Sequence, residues 1–259
     1  LSLHLHHARQ DVAREDLEPA RVSEEAEKLF GDLQAPAGLR RDAPGEPPQS
    51  SFRFSILRGD VKRAHLMMSF HSAPLFHADD LPARILATVL GRGRSSRLVQ
   101  EVKEQRACVE SIGAGTEVFA DLGVLRIFAE MDPGRVAEAA ESIAGVLEGM
   151  RHHPPAAMEI LRARSAVESQ YYLSQGDVTG VATNLAYYEA LGDYRLADEF
   201  VQKLQSVTPE MVADTASRVL RTELASLLVY LPEELPPPFS GTEEGEAPFF
   251  FPRARAPPP

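Results

Sequence analysis

The positions of the prolines limit which parts of this 259-residue chain can form a folded domain, because its 20 prolines are concentrated in two stretches. Nine of them lie in residues 232–259 and four in residues 36–48. The proline ring fixes φ and removes a backbone donor, so neither stretch is expected to form a helix or a central strand. The prolines therefore predict a folded body flanked by linkers, with boundaries at residues 1–35, 36–49 (linker), 50–231 (body) and 232–259 (tail or second linker).

The segment before the first linker is predicted to be the end of a preceding domain. Leu1, Leu3 and Leu5 alternate with polar residues, as in a half-buried strand. Residues 18–33 favour a helix with an apolar stripe that ends near Gly31. One strand and one helix are too little to build a core, so we expect residues 1–35 to complete a domain that lies earlier in a longer protein.

The body predicts an α+β domain. Strands are indicated by the alternation at Phe52–Ile56, by the apolar run 64–70, by the pair 111–118 and 123–131, and by the run 224–231. The run at 64–70 is almost continuously apolar, which predicts a central strand covered on both faces. Helical patterns occupy the region after Asp79–Asp80 and most of residues 133–220. The expected architecture is a mixed, largely antiparallel sheet with helices packed on one face.

Composition excludes several classes of function. Hydrophobic residues are 44% and charged residues 25% of the chain, which is typical of a globular protein. Since 27 basic side chains face 38 acidic ones, the net charge is −11, which argues against nucleic-acid or anionic-membrane surfaces. No apolar run approaches the roughly 18 residues of a membrane helix. We expect a soluble domain without membrane insertion, in the cytoplasm or the periplasm.

The residues alone point to no active site. The zincin motif and its inverted form are both absent, and Cys108 is flanked by apolar residues, which favours a small buried thiol. Solvated edge histidines are favoured for His4, His6 and His7, with a metal site there left open. His71 and His77, at a strand exit, are a minor functional alternative. Arg92 and Arg94 form a glycine-rich turn before a helix, which leaves a small anion site as another minor alternative.

Three motifs resemble one family. The strand entry at 58–74, the segment Leu90–Val102 (LGRGRSSRLVQEV) and the helix start at 206–212 (SVTPEMV) are similar, in order and spacing, to segments of the insulinase and pitrilysin family of zinc peptidases. Residues 30–33 resemble the end of that family's preceding domain. The resemblance covers about residues 50–231 and implies an insulinase-like, processing-peptidase-like fold.

The resemblance also implies that one domain holds the zinc and another closes the peptide chamber. Members are clam-shell peptidases built from related α+β domains around a chamber, and one domain holds zinc through an inverted His-x-x-Glu-His motif whose glutamate activates water. The domain that this chain resembles closes the chamber and helps hold the peptide. No cofactor is therefore expected in this chain, with zinc in a separate catalytic domain of the same protein or of a partner subunit.

Two site positions depart from the family pattern. Many members carry an arginine and a downstream tyrosine that contact substrate, and the resemblance places Lys103 and Glu110 at those positions. Lysine keeps the charge but loses the bidentate fork, and glutamate opposes a developing oxyanion. An ordinary Lys103–Glu110 ion pair is the favoured interpretation, with substrate contact as the alternative.

The sequence therefore predicts a non-catalytic chamber domain of an insulinase-like zinc metallopeptidase, which closes over a peptide and does not hydrolyse it alone. The alternative is a catalytically dead scaffold of the same fold, like the core subunits of a respiratory complex, which binds a protein partner.

Overall fold

The computed structural model describes residues 18–33, 45–119 and 121–234. Its helices are α1 (Pro19–Phe30), α2 (Asp80–Gly91), α3 (Val136–His152), α4 (Ala157–Ser174), α5 (Val178–Ala190), α6 (Leu196–Ser206) and α7 (Pro209–Val219). Its strands are β1 (Arg53–Gly59), β2 (Ala64–Ser72), β3 (Ser111–Val118), β4 (Gly123–Met131) and β5 (Ser226–Pro232). A π-helical turn spans Val99–Gln105. The predicted strand at residues 1–5 and the tail beyond 234 lie outside the described residues.

The five strands form one sheet in the order β1-β5-β2-β4-β3. The β1–β5 pair is parallel, and the β5–β2, β2–β4 and β4–β3 pairs are antiparallel. Parallel neighbouring strands cannot be joined by a tight turn, so β1 and β5 need a long crossover connection. The chain between the two strands provides it. The predicted α+β class with a mixed, largely antiparallel sheet is confirmed.

The core lies between one face of the sheet and three helices. Helix α2 packs on β3 and β4, whereas α3 and α7 pack on β2. Alternate strand positions supply the sheet's half of this core, among them Leu66, Met68, Phe70, Leu125 and Ile127, all at most 1% exposed. Burial of this apolar area is the main stabilising contribution to the fold.

Strand β2 corrects one prediction. It is central, as expected, but it is not covered on both faces, since its burial alternates along the strand. Leu66 and Met68 are buried, whereas His65 is exposed and Met67 is 39% exposed. The apolar run is misleading because Met67 places a large apolar side chain on a face on which no described helix of the same unit packs.

Two helix starts follow the sequence rules. Thr208 caps α7 by accepting from the amide of Met211, with Pro209 at the first helical position. Asp177 caps α5 by accepting from Gly180 N at 2.7 Å. Asp79, at the start of α2, makes no capping bond and instead binds a distant arginine.

The described residues divide into two compact units: 45–119 and 121–167 with 203–234, which contain the sheet, and 18–33 with 168–202. The second unit is organised around Tyr171, whose ring stacks on Phe200 at 4.4 Å and whose hydroxyl donates to the Ala197 carbonyl at 2.7 Å. Helix α1, which belongs to this unit, has no buried residue.

Candidate functional site

Within the described residues of the unit that contains the sheet, no helix packs on one face of the sheet, and the side chains on that face follow from the strand register. His65 lies between Glu130 on β4 and Tyr230 on β5, and Met67 lies between Phe128 and Leu228. Leu57 on β1 is the cross-strand neighbour of Tyr230 on β5. We call this surface the bare face: His65, Met67, Phe128, Glu130, Leu228, Tyr230 and Leu57.

The bare face carries a shallow cavity of about 260 Å³. Met67, Phe128, Leu228 and Tyr230 supply its apolar lining, and His65, Ser111 and Glu130 supply polar groups. Phe128 lies over Gly113, since a Cβ there would come within 2.5 Å of the Phe128 Cζ. A glycine at this cross-strand position therefore lets the ring lie flat against β3 and keeps the cavity open.

The charged side chains on this side of β3 and β4 differ in whether they form ion pairs. Glu117 pairs with Arg126 across β3 and β4 at 2.8 Å. The Glu130 carboxylate, beside the cavity, makes no hydrogen bond or ion pair with another residue in the described part of the chain. The cavity therefore combines an apolar lining with one carboxylate that has no cation partner there.

Lys103 lies in a second groove. The π-helical turn Val99–Gln105 carries it, and the groove, of about 440 Å³, is also lined by Arg94, Glu104 and Ser111. Turns of this type occur frequently at functional sites, since the extra residue per turn re-aims a side chain. Beyond the turn, Ala107 has a φ of 49° in the left-handed region, and Arg135 donates to its carbonyl. The structure thus holds Lys103 beside the free edge of β3.

Glu110 does not pair with Lys103, so the predicted ion pair is wrong. Its carboxylate pairs with Arg63, which also contacts Asp132 at 2.8 Å. The reason is topological: Arg63 precedes β2, Glu110 precedes β3, and Asp132 follows β4, so the antiparallel register brings all three to one end of the sheet. The two family positions therefore do not form one cluster.

The other predicted candidates carry structural roles. Cys108 is 1% exposed, its thiol donates to the Val102 carbonyl at 3.4 Å, and burial raises its pKa. A thiol with a raised pKa is a poor nucleophile at neutral pH. His77 lies 3.4 Å from Asp79, and His71 lies 4.0 Å from Glu46. His71 lies on the same side of β2 as Met67, beyond the residues that define the bare face, and His77 lies outside the sheet.

Metal ligands do not converge within the described ranges, where no group of three or more His, Cys, Asp or Glu side chains is placed to hold an ion. His4, His6 and His7 lie outside the described residues. Arg92 and Arg94 flank Gly93, whose φ of 81° shapes the turn. Arg92 and Arg94 line separate cavities, so they do not converge on one anion site.

Sequence reasoning missed the bare face. The signal was present in the alternation of β4, where Val124, Arg126, Phe128 and Glu130 occupy one side and Leu125, Ile127 and Ala129 the buried side. A strand pair with a large aromatic among charged residues on its solvent side indicates an exposed apolar surface, and such surfaces commonly serve in binding.

Comparison with known families agrees with the fold. A profile described as the Peptidase M16 inactive domain matches residues 16–167, more than half of the chain. The chain belongs to this family. The match confirms the predicted resemblance to insulinase-like peptidases and the predicted non-catalytic type of domain. The matched residues include the Leu90–Val102 motif, β1 to β4, and the helices α2 and α3 of this M16 inactive domain.

Relatives of this M16 inactive domain are named as zinc proteases. An uncharacterized zinc protease of Mycobacterium leprae is 28% identical over 70% of this chain, and one of Streptomyces coelicolor is 26% identical over 73%. The matched regions are 43% and 42% of those proteins, so the chain spans about two fifths of their length.

Solved structures share the fold. A protease from Helicobacter pylori aligns over 83% of this chain and 53% of its own, with a TM-score of 0.74 at 18% identity. The M16 inactive domain from Pseudomonas fluorescens aligns over 86% of this chain and 53% of its own, with a TM-score of 0.69 at 18% identity. Within the described residues of this domain, no helix is both long and apolar enough to cross a membrane.

Proposed function

We propose that this M16 inactive domain forms one wall of a peptide-binding chamber in a zinc metalloendopeptidase. Another domain, in the same protein or in a partner subunit, supplies zinc and the water-activating glutamate. The bare face is the observation that carries the proposal, because an apolar cavity on the exposed side of a sheet is the kind of surface on which a partner or a ligand binds.

The domain boundaries belong to this proposal. Residues 1–35 complete a preceding domain, residues 36–49 and 232–259 are linkers, and residues 50–231 close the chamber. The exposed apolar side chains of α1 support the first point, since Leu29 is 57% and Phe30 46% exposed. The zinc-protease names of relatives that are more than twice as long as the matched region support a catalytic domain elsewhere.

Lys103 and Glu110 divide the roles of the family pair in this proposal. Lys103 lies beside the free edge of β3 and contacts the peptide as a point charge. Glu110 neutralises Arg63 at the end of the sheet and has a structural role. Transition-state stabilisation then comes from the zinc-bearing domain, and this chain contributes binding and enclosure.

The test compares two exposed leucines in a longer protein that carries the zinc domain. Leu57 lies on the bare face and is 52% exposed, whereas Leu161 lies on α4 and is 51% exposed. Leu57→Arg is expected to lower kcat/KM for peptide cleavage by about tenfold or more, because it introduces a charge into the chamber wall. Leu161→Arg is the matched control, expected to leave kcat/KM within about twofold.

Zinc content and chain-alone activity complete the test. Both variants should keep the zinc content of the wild type, and the 259-residue chain alone should not hydrolyse peptides. Equal kcat/KM values for the two variants would overturn the chamber role and favour a scaffold that binds a protein partner.

A further inference from the structure

We propose that the cavity on the bare face is a subsite for a bulky apolar peptide side chain that has a neighbouring lysine or arginine, whose cation pairs with Glu130. This inference rests on the proposed function, since it names the class of peptide that the chamber wall selects. The ligand is defined by two features of the cavity, its lining and its charge.

The lining favours one large apolar side chain. A volume of about 260 Å³ lies just below the roughly 300–1,000 Å³ of sites that bind whole small molecules. Met67 and Phe128 form its apolar walls, and both remain exposed, at 39% and 48%. Methionine adapts its shape to different partners, so the cavity accepts aromatic and aliphatic side chains alike.

The charge selects what lies next to that side chain. Glu130 is the cross-strand neighbour of both His65 and Ser111, and neither side chain forms a hydrogen bond or an ion pair with its carboxylate. The arginines nearest in register are engaged elsewhere: Arg126 pairs with Glu117 and Arg63 pairs with Glu110. An incoming lysine or arginine therefore finds a carboxylate that has no ion-pair partner among the described residues.

The net charge of the whole chain also favours a cationic ligand. Its net charge of −11 attracts a cationic peptide and repels an acidic one during encounter. A partly exposed ion pair contributes up to about 1 kcal/mol, which corresponds to roughly a fivefold change in Kd. The apolar contact gives affinity, and Glu130 gives discrimination between peptides of opposite charge.

The test uses the Met67 methyl group as a reporter. The full chain is labelled with ¹³C at its methionine methyl groups, and the Met67 signal is assigned with Met67→Leu. Capped hexapeptides that differ only in the central pair, Phe-Arg, Phe-Glu, Phe-Gln and Ser-Arg, are titrated. Met158, 60% exposed on α4, serves as the methyl that should not respond.

We expect the Met67 signal to shift with Phe-Arg, and a Kd at least threefold weaker for both Phe-Glu and Ser-Arg. Glu130→Gln should weaken Phe-Arg by about three- to fivefold and leave Phe-Gln unchanged. Glu141→Gln, which removes an exposed carboxylate from α3, is the matched control and should change neither.

The inference is overturned if no peptide shifts Met67, if Phe-Arg and Phe-Glu bind equally, or if Glu130→Gln and Glu141→Gln behave alike. Its failure is distinguishable from failure of the proposed function. Binding at Met67 without charge preference removes the subsite but leaves the chamber wall. An unchanged kcat/KM in Leu57→Arg removes the chamber wall whatever the peptides show.

Discussion

Arg218 joins two helices that are far apart in sequence. Its guanidinium donates to both carboxylate oxygens of Asp79, at 2.6 and 2.9 Å, and also to Asp214 at 2.7 Å. The Asp79 contact links α7 to the start of α2 and is bidentate, the geometry that makes an Arg–carboxylate pair strongest. The Asp214 contact lies within α7 and links nothing else.

Asp79→Asn is therefore expected to cost about 1 kcal/mol of unfolding free energy at pH 7, and Asp214→Asn only about 0.3–0.5 kcal/mol. Urea denaturation measures both. The hydrogen bond from Arg218 lowers the Asp79 pKa. Because the folded pKa lies below the unfolded value of about 3.9, this stability is complete above that value and is lost as the pH falls through the folded pKa.

The difference between Asp79→Asn and the wild type should accordingly shrink as the pH falls below about 3.9. A cost that stays constant from pH 7 to pH 3 would show that packing of the Asp79 side chain, and not its charge, holds α2 to α7.

Single residues show which features of the structure can be predicted from neighbouring sequence and which cannot. The burial of Cys108 is confirmed, because its apolar neighbours and position after a helix suffice to predict it. The partner of Glu110 was missed, because Arg63 reaches it through the β2–β4–β3 register and not through nearby sequence. The Glu130 carboxylate, which has no ion-pair partner among the described residues, was missed because its surroundings also depend on the strand register.

At the scale of elements, Gly91 lets α2 end against the sheet. A Cβ at this position would lie 2.0 Å from the Ala114 amide nitrogen and 2.6 Å from the Gly113 carbonyl carbon. These are backbone atoms of an ordered strand, so they cannot move aside as a flexible side chain does. The first glycine of the Leu90–Val102 motif is thus explained by a close approach of α2 to β3, and not by anion binding.

Gly91→Ala is expected to destabilise the domain by roughly 1–3 kcal/mol, because the added methyl group forces α2 away from β3. Gly145→Ala is the matched control, since Gly145 is an exposed position of α3 with open space around its Cβ. That change should stabilise the domain by about 0.5–1 kcal/mol through helix propensity. Thermal unfolding followed by circular dichroism distinguishes the two, and a Gly91→Ala variant as stable as the wild type would refute the close approach.

Strand positions were largely predictable, and strand environment was not. The alternation at Phe52 and Phe54 and the apolar run from Ala64 located β1 and β2, because a two-residue period is a local property. Coverage of β2 was predicted wrongly, since an apolar Met67 satisfies either a core or a binding surface. Only the placement of α2, α3 and α7 on one face decides between the two.

For the whole molecule, the family could be predicted and the extent of the protein could not. The order of three motifs along one chain identified the M16 fold, because motif spacing survives when identity falls to 28%. The three motifs do not bear on the proposed preceding domain, whereas the exposed apolar side chains of α1 do.

Leu29 tests the proposal that α1 completes a preceding domain. In this chain its side chain is 57% exposed, so Leu29→Ala should change the unfolding free energy by less than about 0.5 kcal/mol. In a longer protein that includes the preceding domain, burial of the same side chain should raise the cost to roughly 2–3 kcal/mol.

Leu204→Ala provides the matched control, because Leu204 is 0% exposed here and should cost roughly 2–5 kcal/mol in both proteins. Chemical denaturation of the two proteins and their variants gives the four values. Only Leu29 should depend on the added domain, because only its burial changes. An equally small cost for Leu29→Ala in both proteins would mean that α1 belongs to this domain alone and that its apolar stripe faces solvent or another partner.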